Sequence, residues 1–107
     1  MRLAALDLTA AETTALHTVP AGHRAVVTVN LCNRNHARAM VRVAITAGDD
    51  PTSADWIEYD TPLPPVGSTG GSTMQITGLA LAASQSVYVH ANVADVSAVV
   101  HGVQEVI

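Results

Sequence analysis

Apolar residues alternate with smaller or polar residues along most of this sequence, and the alternation is clearest on both sides of Pro20. Pro20 pushes Val19 towards an extended conformation, and Gly22 can take the positive φ that a type II turn needs. Beyond the turn, one predicted face carries Val27, Val29 and Leu31, and the other carries Val26, Thr28, Asn30 and Cys32. A period of two predicts a half-buried strand. Residues 16–32 are therefore predicted to form a hairpin of a short and a long strand.

The same alternation predicts further strands at 37–47, 56–61, 73–76, 86–91 and 95–103. In the first of these, the predicted inward residues are Ala39, Val41, Val43 and Ile45, and the predicted outward residues are Arg38, Met40 and Arg42. In the second, one predicted face carries Trp56, Glu58 and Asp60, and the other carries Ile57 and Tyr59. The last two strands are predicted to form a closing hairpin.

Two segments do not follow the alternation. Residues 62–72 contain several prolines and glycines, among them Pro64 and Pro65, so they predict a long loop that crosses between sheets. Residues 1–15 fit an edge strand or an extended arm that docks on a neighbouring subunit, and a short amphipathic helix is the alternative. Their apolar positions are Leu3, Leu6 and Leu8.

The predicted fold is all-β: a single domain spanning residues 1–107, built as an antiparallel β-sandwich of about seven to eight strands. Short strands that recur with turn signals favour a jelly roll or an immunoglobulin-like sandwich. No segment gives a convincing helical period, and there is no internal repeat.

Composition adds a second expectation, which concerns the surface. Hydrophobic residues make up 49% of the chain and charged residues 13%, against about 25% in an average globular protein. One small core cannot hide so many apolar side chains, so we expect part of the outside to be covered by other chains. A net charge of −4 without any lysine argues against nucleic-acid binding, and no apolar run is long enough for a membrane span.

Candidate chemistry is sparse. The five histidines lack the close spacing of a metal site, and the single cysteine, Cys32, has His36 nearby but no third group to orient it. The segment 67–72 is rich in glycine but lacks the lysine of a phosphate-binding loop. No catalytic residue, metal or cofactor is therefore predicted. Trp56 with Asp60 could form a sugar-binding platform, although a core or interface role is the more common one for a lone tryptophan.

Three arginines close together in sequence, Arg34, Arg38 and Arg42, allow two interpretations. Arginine forms bidentate contacts with carboxylates, so these side chains could make ion pairs across an interface. Alternatively, they could protect a solvated edge strand through their charge. The candidate interface residues are Leu3, Leu6, Leu8, Arg34, Arg38, Met40, Arg42, Trp56, Pro64 and Pro65.

Three segments also share a residue pattern with known proteins. The first is Thr18-Val19-Pro20-Ala21-Gly22 with Ala25-Val26, leading into Cys32-Asn33; the second is Trp56-Ile57-Glu58-Tyr59-Asp60-Thr61-Pro62; the third starts at Gly78-Leu79, continues through Val87, Val89 and Val96, and closes at Gly102-Val103. In this order they resemble small β-rich structural proteins of tailed bacteriophages. The resemblance implies a virion component.

Together these observations predict a non-enzymatic structural protein of a phage virion. A capsid decoration or cement role is favoured, in which the chain associates with itself as a homo-oligomer, for which a trimer is one option, and with the major capsid protein or another virion protein. A neck, tail or fibre-associated role is the alternative, and a carbohydrate- or receptor-binding fibre module is a second hypothesis from a different class.

Overall fold

The computed structural model describes residues 1–107 and contains eight strands and no helix. The strands are β1 (Arg2–Asp7), β2 (Thr14–Thr18), β3 (His23–Asn33), β4 (Ala39–Thr46), β5 (Trp56–Leu63), β6 (Thr73–Leu81), β7 (Ser86–Ala91) and β8 (Val96–Val106). In the absence of any helix, no segment forms the long apolar helix that crosses a membrane.

The strands form two four-stranded antiparallel sheets, with the orders β1-β8-β3-β6 and β2-β7-β4-β5. We call them the β3 sheet and the β4 sheet. Almost every connection passes from one sheet to the other, and only β4 and β5 are neighbours both in sequence and in a sheet. This is the strand order of an eight-stranded jelly roll, whereas an immunoglobulin sandwich keeps other consecutive strands side by side. The prediction of an antiparallel sandwich is confirmed, and of its two forms the topology is that of the jelly roll.

The core lies between the sheets and is made of valine, leucine and alanine. Val27, Val29 and Leu31 on β3 are at most 1% exposed, while Val26, which directly precedes them, is 55% exposed. The predicted faces of this strand are therefore confirmed. None of the three aromatic residues belongs to the core cluster.

The two hairpins predicted from sequence are wrong. β7 pairs with β2 and β4, while β8 pairs with β1 and β3, so 86–91 and 95–103 do not pair with each other. β2 and β3 likewise lie in different sheets. The turn between them forms as expected, since Gly22 has a φ of 76° and the amide of His23 donates to the carbonyl of Pro20 at 3.2 Å. Alternation specifies a buried face, and a strand with one buried face fits either sheet.

Strand β6 is longer than predicted, because 73–76 continues through an irregularity to Leu81. The register with β3 shifts between Val27 and Val29, and Gly78 takes a φ of 70° near that point. A β-bulge explains both observations, since it inserts an unpaired residue and breaks the alternation. Leu79 consequently pairs with Val27.

The amino-terminal segment, for which the sequence allowed both a strand and an arm, forms the edge strand β1. The residue before β1 is also hydrogen-bonded to β8, because the amide of Gly102 donates to the carbonyl of Met1 at 2.8 Å. Leu8 is 5% exposed and belongs to the core, and Leu3 and Leu6 pack against the core from its margin. Residues 64–72 cross from the β4 sheet to the β3 sheet, as predicted.

Candidate functional site

An exposed pair of valines lies on the outer face of the β3 sheet. Val26 on β3 and Val103 on β8 are directly opposed in the ladder, and 55% and 64% of these residues are accessible to solvent. Ala80 on β6 lies on the other side of Val26. We call these three residues the valine patch. The pattern of alternation places Val26 outward, and that is the only signal in the sequence that could have identified the patch.

The three residues of the valine patch help to line a shallow hollow of about 400 Å³, and six of its nine lining residues are hydrophobic. An ion pair borders it, in which Arg24 Nε donates to Glu105 Oε1 at 2.7 Å. Both charged side chains are more than half exposed, so the pair contributes little to stability. An apolar centre with a charged rim is the usual anatomy of a protein–protein contact.

The outer face of the β4 sheet carries a different surface. The rings of Trp56 and Tyr59 meet edge to face, with centroids 5.5 Å apart and planes at 72°. The guanidinium carbon of Arg42 lies 4.1 Å from the centroid of Tyr59, which is a cation–π contact. Tyr88 on β7 also points outward, because its neighbours Val87 and Val89 are fully buried. We call Trp56, Tyr59, Tyr88 and Arg42 the aromatic face.

Ala44 shows that the aromatic face is packed. It has the same outward orientation as Arg42 and lies outside the core cluster, yet it is fully inaccessible to solvent. Its ladder neighbours are Tyr88 on one side and Trp56 on the other. The two aromatic residues therefore flank this inaccessible alanine in the ladder.

The predicted faces of β5 are wrong at Tyr59, which lies on the same side as Trp56 and Asp60. Asp60 has a φ of 52°, and the register between β4 and β5 shifts on both sides of Val43. These irregularities break the period of two, so residues of opposite parity reach the same face. Glu58 pairs with the inward-facing Val43, at the margin of the core.

The aromatic face contains a small charge network. Arg42 donates from Nε and Nη2 to the two carboxylate oxygens of Asp60, at 2.7 and 3.3 Å. This hydrogen bond lowers the pKa of Asp60 below its ordinary range and raises the pKa of Arg42. His90 is the ladder partner of Arg42, and its Nδ1 lies 3.1 Å from the hydroxyl of Thr13. Burial, followed by the charge of Arg42, lowers the pKa of His90.

We expect the stability of the fold to depend on the protonation of His90. Because its pKa is lowered in the folded state, the unfolded chain takes up a proton first as the pH falls. The stability that neutral His90 contributes is fully present above the ordinary value of 6.5 and is lost as the pH falls through its lowered pKa. Denaturant unfolding between pH 7.5 and 5 is expected to show a smaller loss for His90→Gln than for the unmodified protein. Equal losses would contradict the assignment.

The candidate interface residues occupy different places on the molecule. Arg38 is exposed and has no ion pair, Met40 is half-buried, and Pro64 and Pro65 are half-buried at the start of the crossing loop. Arg34 pairs with Asp7 of β1. β4 lies inside its sheet, so the prediction that its arginines protect an edge strand is wrong. Arg34 and Arg42 are both engaged within the chain.

The groups considered for metal binding or nucleophilic catalysis are dispersed. No group of three or more histidine, cysteine or acidic side chains is arranged to hold a metal ion. His17 hydrogen-bonds to Gln104 at 2.8 Å and His101 to Asn30 at 2.9 Å. Cys32 is half-buried on the outer side of β3, opposite Ser97 and Thr73, and is not in the core.

The fold therefore defines the class of this protein as an eight-stranded jelly-roll domain with two distinct outer surfaces. No protein-family model and no curated protein matches the sequence. Two solved structures are similar to the chain, and both are crystal structures of a pentameric capsid protein isolated from metagenomic phage sequences. They are 21% and 20% identical to it, with TM-scores of 0.44 and 0.46. Each comparison covers 95% of this chain and 63% of the solved one, so the chain spans less than two thirds of their length.

Proposed function

We propose that this chain is a non-enzymatic structural protein of a tailed-phage virion, which associates with copies of itself and with a larger virion protein. The observation that carries the proposal is the valine patch: two opposed valines more than half exposed on the outside of a sheet. The low charge content and the sequence resemblance to phage structural proteins support the same function.

Self-association through the valine patch follows from the hydrophobic effect. Covering Val26 and Val103, which are already partly buried, would contribute about 1 kcal/mol for each side chain. Ala82 extends the apolar lining of the same hollow, and the Arg24–Glu105 pair at its border can direct the orientation of a partner. The exposed Arg38 and the loop that carries Pro64 and Pro65 are proposed as contacts with the larger virion protein.

Within this function, we propose a capsid decoration or cement role, with a neck or tail position as the alternative. A domain of 107 residues that associates with itself and binds a larger protein would fit the role of a protein bound to an assembled shell. Fractionation of particles into emptied heads and detached tails separates the two positions. A decoration protein is expected on heads in hundreds of copies, whereas recovery on tails in tens or fewer copies would contradict this role.

Replacement of Val26 and Val103 by threonine is expected to weaken self-association. Threonine has nearly the shape of valine and suits a strand, so the monomer keeps its fold while the contact loses apolar surface. Size-exclusion chromatography with light scattering should show at least a tenfold rise in the dissociation constant, since two lost valine contacts amount to about 2 kcal/mol.

Ile57→Thr provides the matched control, since Ile57 is 44% exposed on β5 of the other sheet. This variant should associate as the unmodified protein does. An equal loss in both variants, or no loss in the double variant, would contradict the assignment of the valine patch.

A further inference from the structure

The position of the aromatic residues calls for an explanation beyond self-association. A sandwich normally gains much of its core energy from aromatic side chains, because each buries a large area. This chain has three, and none of them is in the core cluster. All three lie on the outer face of one sheet, and Tyr59 is 57% exposed. Three exposed or half-exposed rings on one sheet form a surface for a ligand.

Trp56 lies between two small hollows. One, of about 280 Å³, is lined by Thr13, Asp50, Pro51 and Trp56. The other, of about 400 Å³, is lined by Ser53, Trp56 and Tyr59. Each is large enough for a single ring-sized group, and each combines an aromatic surface with hydroxyl or carboxylate oxygens. Neither hollow has the continuous apolar centre that the valine patch offers to a protein partner.

The parts of this site are held in place before any ligand arrives. The Asp60 carboxylate holds Arg42, and Arg42 lies over Tyr59, whose ring meets that of Trp56. The loop beside Trp56 is also ordered, since Asp55 accepts hydrogen bonds from the amide and hydroxyl of Thr52, at 2.8 and 3.1 Å. The amide of Ile45 on β4 donates to the carbonyl of Asp55 at 3.1 Å, and this hydrogen bond holds the loop against β4. Preorganisation of this kind lowers the entropic cost of binding.

We propose that the aromatic face binds a neutral oligosaccharide, with one sugar ring stacked on Trp56. The C–H groups on one side of a pyranose carry a small positive charge, which matches the negative face of an aromatic ring. The sugar hydroxyls can donate to the carboxylate of Asp50, which takes part in none of the three ion pairs of the chain. The hydroxyls of Thr13 and Ser53 complete the polar lining.

The local charge selects against acidic sugars. More than half of the nine acidic residues lie between positions 49 and 60, and the only arginine that forms an ion pair with one of them is Arg42, which Asp60 engages. An anionic glycan would bring its carboxylates against these groups without a free cation to receive them. Neutral chains of hexose or N-acetylhexosamine units carry no such penalty.

The unique tryptophan supplies a direct test, because selectively excited tryptophan fluorescence reports on Trp56 alone. The full chain is titrated with neutral tetrasaccharides of glucose, galactose and N-acetylglucosamine, and with a hyaluronan tetrasaccharide as the acidic comparison. At least one neutral tetrasaccharide is expected to give a saturable change with a dissociation constant of about 1 mM or tighter. The acidic tetrasaccharide is expected to bind at least tenfold more weakly.

Three variants localise the binding site. Binding to them is measured by calorimetry, because one of the variants removes the fluorophore Trp56. Trp56→Phe and Asp50→Asn should each weaken it at least fivefold, and Val103→Thr on the opposite sheet should leave it unchanged. No response to any neutral tetrasaccharide, or binding that survives Trp56→Phe and Asp50→Asn, would overturn the proposal. A change of oligomeric mass in Trp56→Phe without any sugar binding would identify the aromatic face as a protein contact and would also overturn it.

Discussion

Gly102→Ala is expected to destabilise the fold by about 3 kcal/mol or more, or to prevent folding altogether. Gly102 lies on β8 opposite Val27 and has a φ of 154°. An added Cβ would lie 2.2 Å from the carbonyl oxygen of Val26 and 2.8 Å from the Cα of Val27. Both are backbone atoms of the central strand β3, which cannot move aside without breaking the ladder between β3 and β8.

Gly70→Ala is the control for this prediction. Gly70 lies in the crossing loop, has no positive φ, and an added Cβ would meet no heavy atom within 4 Å. The free energy of unfolding of Gly70→Ala, measured in denaturant, is expected to stay within about 0.5 kcal/mol of that of the unmodified protein. If Gly102→Ala also stayed within that range, the close approach of β8 to β3 at this position would be wrong.

Asn33→Asp is expected to cost about 3–5 kcal/mol at pH 7. Asn33 is fully buried at the end of β3, and its Nδ2 donates to the carbonyls of Ala37, Leu63 and Pro64 at 3.0, 3.1 and 3.1 Å. It thereby ties the β3 sheet to the end of β5 in the other sheet. A carboxylate there would lose the donor and bring a buried negative charge against carbonyl oxygens.

The pH dependence of this variant gives a second readout. Burial among acceptors would raise the pKa of the introduced aspartate, so its folded form is favoured when the group is protonated. The deficit relative to the unmodified protein is therefore expected to be smallest at low pH and to grow as the pH rises through the raised pKa. Equilibrium unfolding of both proteins at several pH values measures this difference.

Asn92→Asp is the matched control, because Asn92 is exposed and uses its side-chain oxygen to accept from the amide of Met40 at 2.7 Å. Aspartate keeps that acceptor, so little change is expected. A loss of stability as large in this variant as in Asn33→Asp would show that burial and the three carbonyl contacts of Asn33 are not the cause.

The fold class follows from the sequence because it depends on local signals. The alternation of apolar and polar residues identified the buried face of β3, and Pro20 together with Gly22 identified the first turn. The pairing partners of the strands could not be predicted in this way. β2 and β7 each have one apolar face, and that face could be buried in either sheet. The role of Asn33 was hidden for a related reason. Its acceptors at Leu63 and Pro64 lie about 30 residues away, and the sequence around it indicates only a polar turn.

The candidate surfaces were predictable in part. Trp56 and Arg42 were identified as candidates from residue type, but their meeting with Tyr59 depends on the positive φ of Asp60 and on shifts of register, which alternation does not reveal. The valine patch was missed because Val26 and Val103 each look ordinary in a strand. They form a patch only once β3 and β8 are known to be neighbours. The prediction that some apolar surface stays outside came from composition, which is independent of pairing.

Sedimentation velocity of the unmodified protein over a range of about 1 μM to 1 mM tests whether the chain associates with itself, because self-association follows mass action. The expected result is a mass that rises with concentration to a defined multiple of the 11.1 kDa chain, and this multiple gives the oligomeric state. A single species of 11.1 kDa throughout this range would contradict it.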